Sequence, residues 1–189
     1  MESKIIMENK KDNFTFTRVK KNEYEITFTI QNNFIDLPSI INFDLLKLLY
    51  DLNKDIFSNV TLEKINEKEA VSVLLLKHFF VDLGLPQHYS YFHIEKKENE
   101  KENIIFYSKT IFSERPEIIP DEAHLIAFEG INILIQIESP HKLNISGSIL
   151  LQENQNQNIP FFIEKFISRI IYKIFNRLKQ FIENNISNI

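Results

Sequence analysis

Few residues in the chain combine chemically useful side chains with regular spacing. Tyr89, Tyr91 and His93 recur at i, i+2 and i+4, and Glu95 continues the row. On a β-strand that spacing puts all four on one face, and Tyr107 lies on the next strand-like segment. Converging polar groups in an otherwise apolar cavity are the expected form of a ligand site. The same spacing has a second reading, in which the row is an outer, half-solvated face and Phe92 and Ile94 point inward. His124 follows Asp121 and Glu122, but no H-x-H or HExxH spacing supplies further ligands, so no metal is expected. His78 and His88 read as surface or satisfied core imidazoles, and His141, after Pro140, as a loop residue. Ser146-Gly147-Ser148 sits in a strand pattern, not in a G-x-S-x-G elbow, and reads as a bulge. The pairs Glu114/Glu117 and Asp121/Glu122 flank Arg115-Pro116 and Pro120 as a solvated loop beside any pocket. No catalytic residue and no cofactor are expected.

Composition removes whole classes of chemistry. The 189 residues contain no Cys, which excludes disulfides, thiolate metal sites and thiol nucleophiles. With 3 Gly, neither a Walker A nor a G-x-G-x-x-G phosphate loop occurs. The net charge of -4 and the short mixed basic runs, such as Lys20-Lys21 and Lys96-Lys97, argue against a nucleic-acid partner. No N-terminal signal pattern and no run of about 18 apolar residues is present, so a cytoplasmic, reducing location is expected, with at most transient membrane contact. The N-x-[ST] sequons at Asn13, Asn59, Asn144 and Asn185 carry little weight without a signal peptide. At 43% apolar and 25% charged residues the chain has the balance of a folded domain, one that buries about 70% of its unfolded surface.

Periodicity supplies the elements. Residues 1–12 are polar and expected to be flexible; residues 13–189 are expected to form a single domain. Phe14 to Val19 and Tyr24 to Ile30 alternate with period two about a polar turn, as a hairpin or one bent strand. From Asn42 the apolar residues recur at helical spacing, with Asn42 or Asp44 as N-cap. Strand-like segments follow at Val60 to Ile65, Ala70 to Phe80, Tyr89 to Lys96, Ile104 to Ile111, His124 to Ile137 and Leu143 to Leu151, in the order of an antiparallel meander. Val71 to Phe80 also fits a buried helix, and Gly130 marks a bulge or bend. After the polar break Gln152 to Asn158, Pro160 opens a helix over about Phe161 to Asn185, whose apolar residues cover half its circumference.

The order of strand, helix, six strands and long C-terminal helix resembles the START-like superfamily, the helix-grip fold of lipid-transfer, Bet v 1-like and polyketide cyclase-like proteins. The local echo lies at the end: Leu143-Asn144-Ile145-Ser146-Gly147-Ser148-Ile149-Leu150-Leu151, a linker, Ile159-Pro160-Phe161-Phe162-Ile163-Glu164-Lys165, then Phe175-Asn176-Arg177-Leu178-Lys179-Gln180-Phe181. The resemblance implies an α+β fold in which a curved antiparallel sheet of about seven strands wraps around the C-terminal helix. It further implies an apolar or lipid-like ligand held between sheet and helix by Tyr91, His93, Tyr107, Phe166, Ile170, Ile174 and Arg177. The expected function is therefore a non-enzymatic binding or carrier module with a hydrophobic small molecule or lipid as partner. The alternative is an interaction or assembly protein with a closed core and a protein partner, for instance a component of a large DNA virus with an AT-rich genome. A cyclase-like enzyme would need paired inward acid and base residues, and none can be placed.

Overall fold

Alternation of apolar and polar residues builds the sheet. In Glu23–Gln31 (β3), Tyr24, Ile26, Phe28 and Ile30 are buried, and the residues between them face solvent or are half-buried. The computed structural model describes residues 3–79, 84, 86–99, 102–152 and 161–185. The remaining strands are β1 (Lys4–Asn9), β2 (Phe14–Lys20), β4 (Phe57–Asn66), β5 (Glu69–Leu76), β6 (His88–Asn99), β7 (Asn103–Thr110), β8 (His124–Leu125), β9 (Phe128–Ser139) and β10 (Lys142–Leu151). They form one sheet in the order β1-β2-β3-β10-β9-β7-β6-β5-β4, antiparallel throughout except that β8 pairs in parallel with β6. Register shifts in β1, β2, β4 and β9 add the bends that curve it.

The strand count exceeds the expected seven for three reasons. Residues 4–9, within the segment expected to be flexible, instead pair with β2, and Asn9 Nδ2 donates to the Tyr172 hydroxyl at 2.7 Å. The first two alternating runs are a true hairpin, closed at Asn22 with φ 62°, a left-handed conformation that Asn tolerates. The segment from His124 splits into β8 and β9, and the bulge expected at Gly130 appears as a register shift opposite Leu150 and Leu151. Within the segment Val71 to Phe80 the strand β5 ends at Leu76, and Phe80 lies outside the described residues.

Two helices pack on the inner face. The Asn42 side chain caps α1 (Phe43–Asp51) by accepting from the amides of Asp44 at 2.9 Å and Leu45 at 3.1 Å. The helix α2 (Phe161–Asn185) has 25 residues and so spans about 37 Å, enough to cross the sheet. Pro160 and most of the polar break before it lie outside the described residues. The main core joins Phe14, Phe16, Ile26, Phe28, Phe43, Phe106, Leu143, Leu178 and Ile182. A second, smaller cluster of Val73, Leu75, Tyr89, Ile119 and Ala123 lies on the opposite face of β5 and β6, beneath the 111–127 segment.

Candidate functional site

Register decides which face each polar residue occupies. Ser72 pairs with Phe92 and Phe92 with Thr110, while Ala70 pairs with Ile94 and Ile94 with Ser108; Phe92 and Ile94 belong to the main core. Tyr91 pairs with Val73, and His93 with Val71 and Lys109, on the outer face. Tyr107 pairs with Asn132 there, and its ring lies over Gly130, where an added Cβ would sit 3.2 Å from Cε2. The structure therefore places Tyr91, His93 and Tyr107 on the side of the sheet away from α2. The second reading of the row holds, because residues 111–127 bring their own apolar cover to the outer face and make Tyr89 a core residue there.

The inner line of α2 runs through Glu164, Ser168, Ile171, Phe175, Leu178 and Ile182, in steps of four and three. Phe166, Ile170, Ile174 and Arg177 lie about 80–160° around the helix from that line. Phe166 meets Phe79 edge to face at 6.0 Å between centroids. The Ile174 carbonyl accepts from Asn53 Nδ2 at 3.3 Å. Arg177 turns toward α1, donating to Leu52 O at 3.2 Å, Asn53 Oδ1 at 3.1 Å and both carboxylate oxygens of Asp55. Those bonds, joined by Lys173 at 2.6 Å, hold the Asp55 carboxyl well below the usual carboxylate range. Arg177 thus closes the α1 end of the molecule.

Two buried polar residues begin the inner line. Glu164 is 3% exposed; its carboxylate accepts from Arg18 Nη1 at 2.9 and 3.0 Å and from the Tyr24 hydroxyl at 3.0 Å. Burial and the Glu164 charge push the Tyr24 phenol up. Ser168 is fully buried and donates to Lys165 O at 2.8 Å within its own helix. Both lie in line with Ile171 and Phe175, and that alignment is the signal in the sequence by which they can be found.

These contacts orient α2 over the sheet. Its start lies on the row Tyr24–Ile149–Ile131, through Glu164 and Tyr24. Its end lies on the row Ile30–Leu143–Ile137, through Lys179 Nζ to Thr29 O at 2.7 Å and Asn32 Nδ2 to Ile182 O at 2.6 Å. Between them Phe28, Ile145, Ile135 and Ile104 are all buried. Toward the start of α2 the packing loosens: Ile131, Ile133, Ile149, Leu151 and Phe128 face inward yet are only half-buried. Gly147 lies in the same floor, where an added Cβ would meet Ile133 Cδ1 at 3.5 Å. On the helix flank Ile163, Phe166 and Ile170 are half-buried, Ile167 is 36% exposed, and Phe79 nearby is 39% exposed. The apolar side chains along the first half of α2 are thus less completely buried than those along the second.

The other flank is tied down. The Tyr172 hydroxyl donates to the Asp12 carboxylate, and burial together with that charge pushes the phenol up to about 12. Beneath it Phe14, Phe28, Phe175 and Asn176 pack with no room for a water molecule between them, and Asn176 Oδ1 has no hydrogen-bond partner. Among the described residues no group of three or more His, Asp or Glu is placed to hold a metal, and no helix is long and apolar enough to cross a membrane.

A curved antiparallel sheet gripping a long terminal helix has counterparts among solved structures. Human STARD10 superposes with a TM-score of 0.67 at 8% identity, covering 95% of this chain and 74% of that one. The fold is the START-like helix grip. The lipid transfer and protein localization domain of human StarD13 matches with a TM-score of 0.67 at 10% identity over 97% of this chain and 90% of its own. A STAR-related lipid transfer protein from Xanthomonas axonopodis gives 0.65 at 9% identity, over 95% and 98%. No family model matches the chain, and no curated protein matches it by sequence. Among the described residues the START-like grip has about ten strands where seven were expected.

Proposed function

We propose that this chain is a non-enzymatic binding or carrier module for an apolar, lipid-like ligand, held between the inner face of the sheet and the first half of α2. The observation that carries the reading is the row of inward but half-buried apolar side chains, Ile131, Ile133, Ile149 and Leu151, on central strands that are fully packed a few residues away. Leaving such side chains partly wet costs about 25 cal/mol per Å², which an apolar ligand would recover. The lipid-transfer naming of the neighbours supports the same reading. Drug-sized ligands fill about 300–1,000 Å³. The packing under Tyr172 leaves no room even for a water molecule, so a ligand enters only if α2 swings outward from the sheet. The exposed Phe79 and Ile167 give that end an apolar rim, suited to brief contact with a membrane during loading.

Native mass spectrometry of purified protein, followed by uptake of a fluorescent fatty acid or sterol from neutral vesicles, tests the proposal. Bound lipid is expected, and Ile133→Trp, which fills the floor beside Gly147, is expected to reduce uptake at least about tenfold, a difference of 1.4 kcal/mol. Lipid-free protein that takes up neither probe overturns it. The tight packing under Tyr172 favours a second reading, a closed-core interaction protein; pull-down from the native source supports that reading if one stoichiometric partner is recovered, and a monodisperse monomer counts against it.

A further inference from the structure

β7 and β9 are neighbours in the sheet, yet the chain joining them, residues 111–127, travels across the outer face of β5 and β6 before returning. Ile111 N donates to Tyr91 O at 2.8 Å where this strap departs, and Phe128 N donates to Thr110 Oγ1 at 2.8 Å where it rejoins. Between these points Ile119 and Ala123 cover Val73, Leu75 and Tyr89. The backbone hold is the two-residue strand β8, with His124 N on Gln87 O at 2.9 Å and Ile126 N on Tyr89 O at 2.8 Å. In that parallel pairing His88 stands opposite His124, so both rings project to the same side, and their centroids are 6.4 Å apart.

We propose that the His88–His124 pair is an acid-sensitive latch: with both rings neutral it holds the strap against β5 and β6, and protonation of the pair frees the strap and uncovers Val73, Leu75 and Tyr89. The surroundings disfavour a charged His88 ring. His88 is half-buried, and burial, then His124, then His78 hold its imidazole below the usual range, against a smaller opposing effect of the Pro86 carbonyl. On β5 the residues beside it are Leu75 and Leu76, and the segment after β5 contributes His78. On the strap Asp121 and Glu122 precede His124, both exposed, and Asp121 is engaged by Arg115 at 3.5 Å. A ring whose protonation is disfavoured in the latched state, and which titrates near 6.5 once released, binds more protons when released. The latch is therefore fully set above about pH 6.5 and weakens as the pH falls through that value.

Hydrogen exchange of the full chain at pH 7.5 and 5.5, corrected for intrinsic rates, reads the latch directly. The His124 and Ile126 amides are expected to lose about tenfold more protection than those of the β9–β10 ladder, the equivalent of one pH unit of linkage. His88→Gln and His124→Gln should each abolish that difference. A uniform change across the sheet, or an undiminished difference in both variants, overturns the proposal. Should either variant fail to fold, histidine ring titration of the unsubstituted protein decides: rings that titrate together with strap opening support the latch, and rings that titrate while the strap amides stay protected refute it.

Discussion

Removing the Glu164 carboxylate tests whether the first half of α2 is held by one buried ionic contact. Breaking a fully buried pair by deleting one partner costs about 3–5 kcal/mol, because the other charge is left without compensation. Here Glu164 is buried while the Arg18 side chain keeps 27% of its exposure, so water takes over part of the guanidinium's needs. Glu164→Ala is accordingly expected to cost about 2–3 kcal/mol, less than the fully buried case. At about 2–4 °C per kcal/mol for a domain of this size, that is a fall in Tm of about 5–10 °C. Arg18→Met should cost more than Glu164→Ala, since it strands the more deeply buried member with only the Tyr24 hydroxyl. The double variant Arg18→Met/Glu164→Leu, which makes the site apolar, should be more stable than Arg18→Met alone. Urea unfolding followed by far-ultraviolet circular dichroism provides the cycle. Additivity within about 0.5 kcal/mol would refute the reasoning, because contacting charges must couple.

Asn53→Leu should cost about 2–3 kcal/mol by urea unfolding, since the buried amide donates to Leu49 O and Ile174 O and accepts from Arg177. Asn42→Ala, which deletes the α1 cap, should cost about 1 kcal/mol in the same assay, and Asn42→Asp much less. Asp55 has its carboxyl held low in the folded state, so its contribution is present above the unfolded value near 3.9 and is lost as the pH falls below it. Asp55→Asn should therefore lower stability at pH 7 and flatten the acid limb of the stability profile between about pH 4 and 2. Gly130→Val should displace the Tyr107 ring at a cost of about 1–2 kcal/mol, and Tyr107→Ala in the same chain should recover part of it.

Local rules carried the reading of this chain where a single segment holds the whole signal. The alternation in β3, the Asn42 cap and the break at Gly130 were legible in this way. The row Tyr89, Tyr91, His93 was legible only halfway: period two says which residues share a face, not which face is inside. The deciding contact comes from Ile119 and Ala123, on a segment that reads as a solvated loop. On α2 the apolar arc pointed to its own midpoint, whereas the helix lies on the sheet along one edge of that arc. Phe166, Ile170 and Ile174 consequently fall about 160°, 120° and 80° around the helix from the line that meets the sheet. Glu164 escaped notice because Arg18, which makes its burial tolerable, is 146 residues away in sequence. Residues 4–9 become a strand because β2 offers an open edge and Tyr172 a hydrogen-bond partner, neither of which the polar segment announces.

The pairing of β3 with β10, Gln31 against Lys142, joins the first hairpins to the last in the middle of the sheet. During synthesis this fixes an order of events. The first three strands leave the ribosome with the inner face of β3 uncovered and one edge unpaired, and at about 5–20 residues per second roughly 5–20 s pass before β10 arrives. The helix that covers both strands comes last of all. An exposed edge bearing Tyr24, Ile26, Phe28 and Ile30 is a template for pairing with other chains. The protein is therefore most exposed to mispairing as a nascent chain, and its charged turns at Lys10-Lys11 and Lys20-Lys21 flank those strands where such a chain would have to approach.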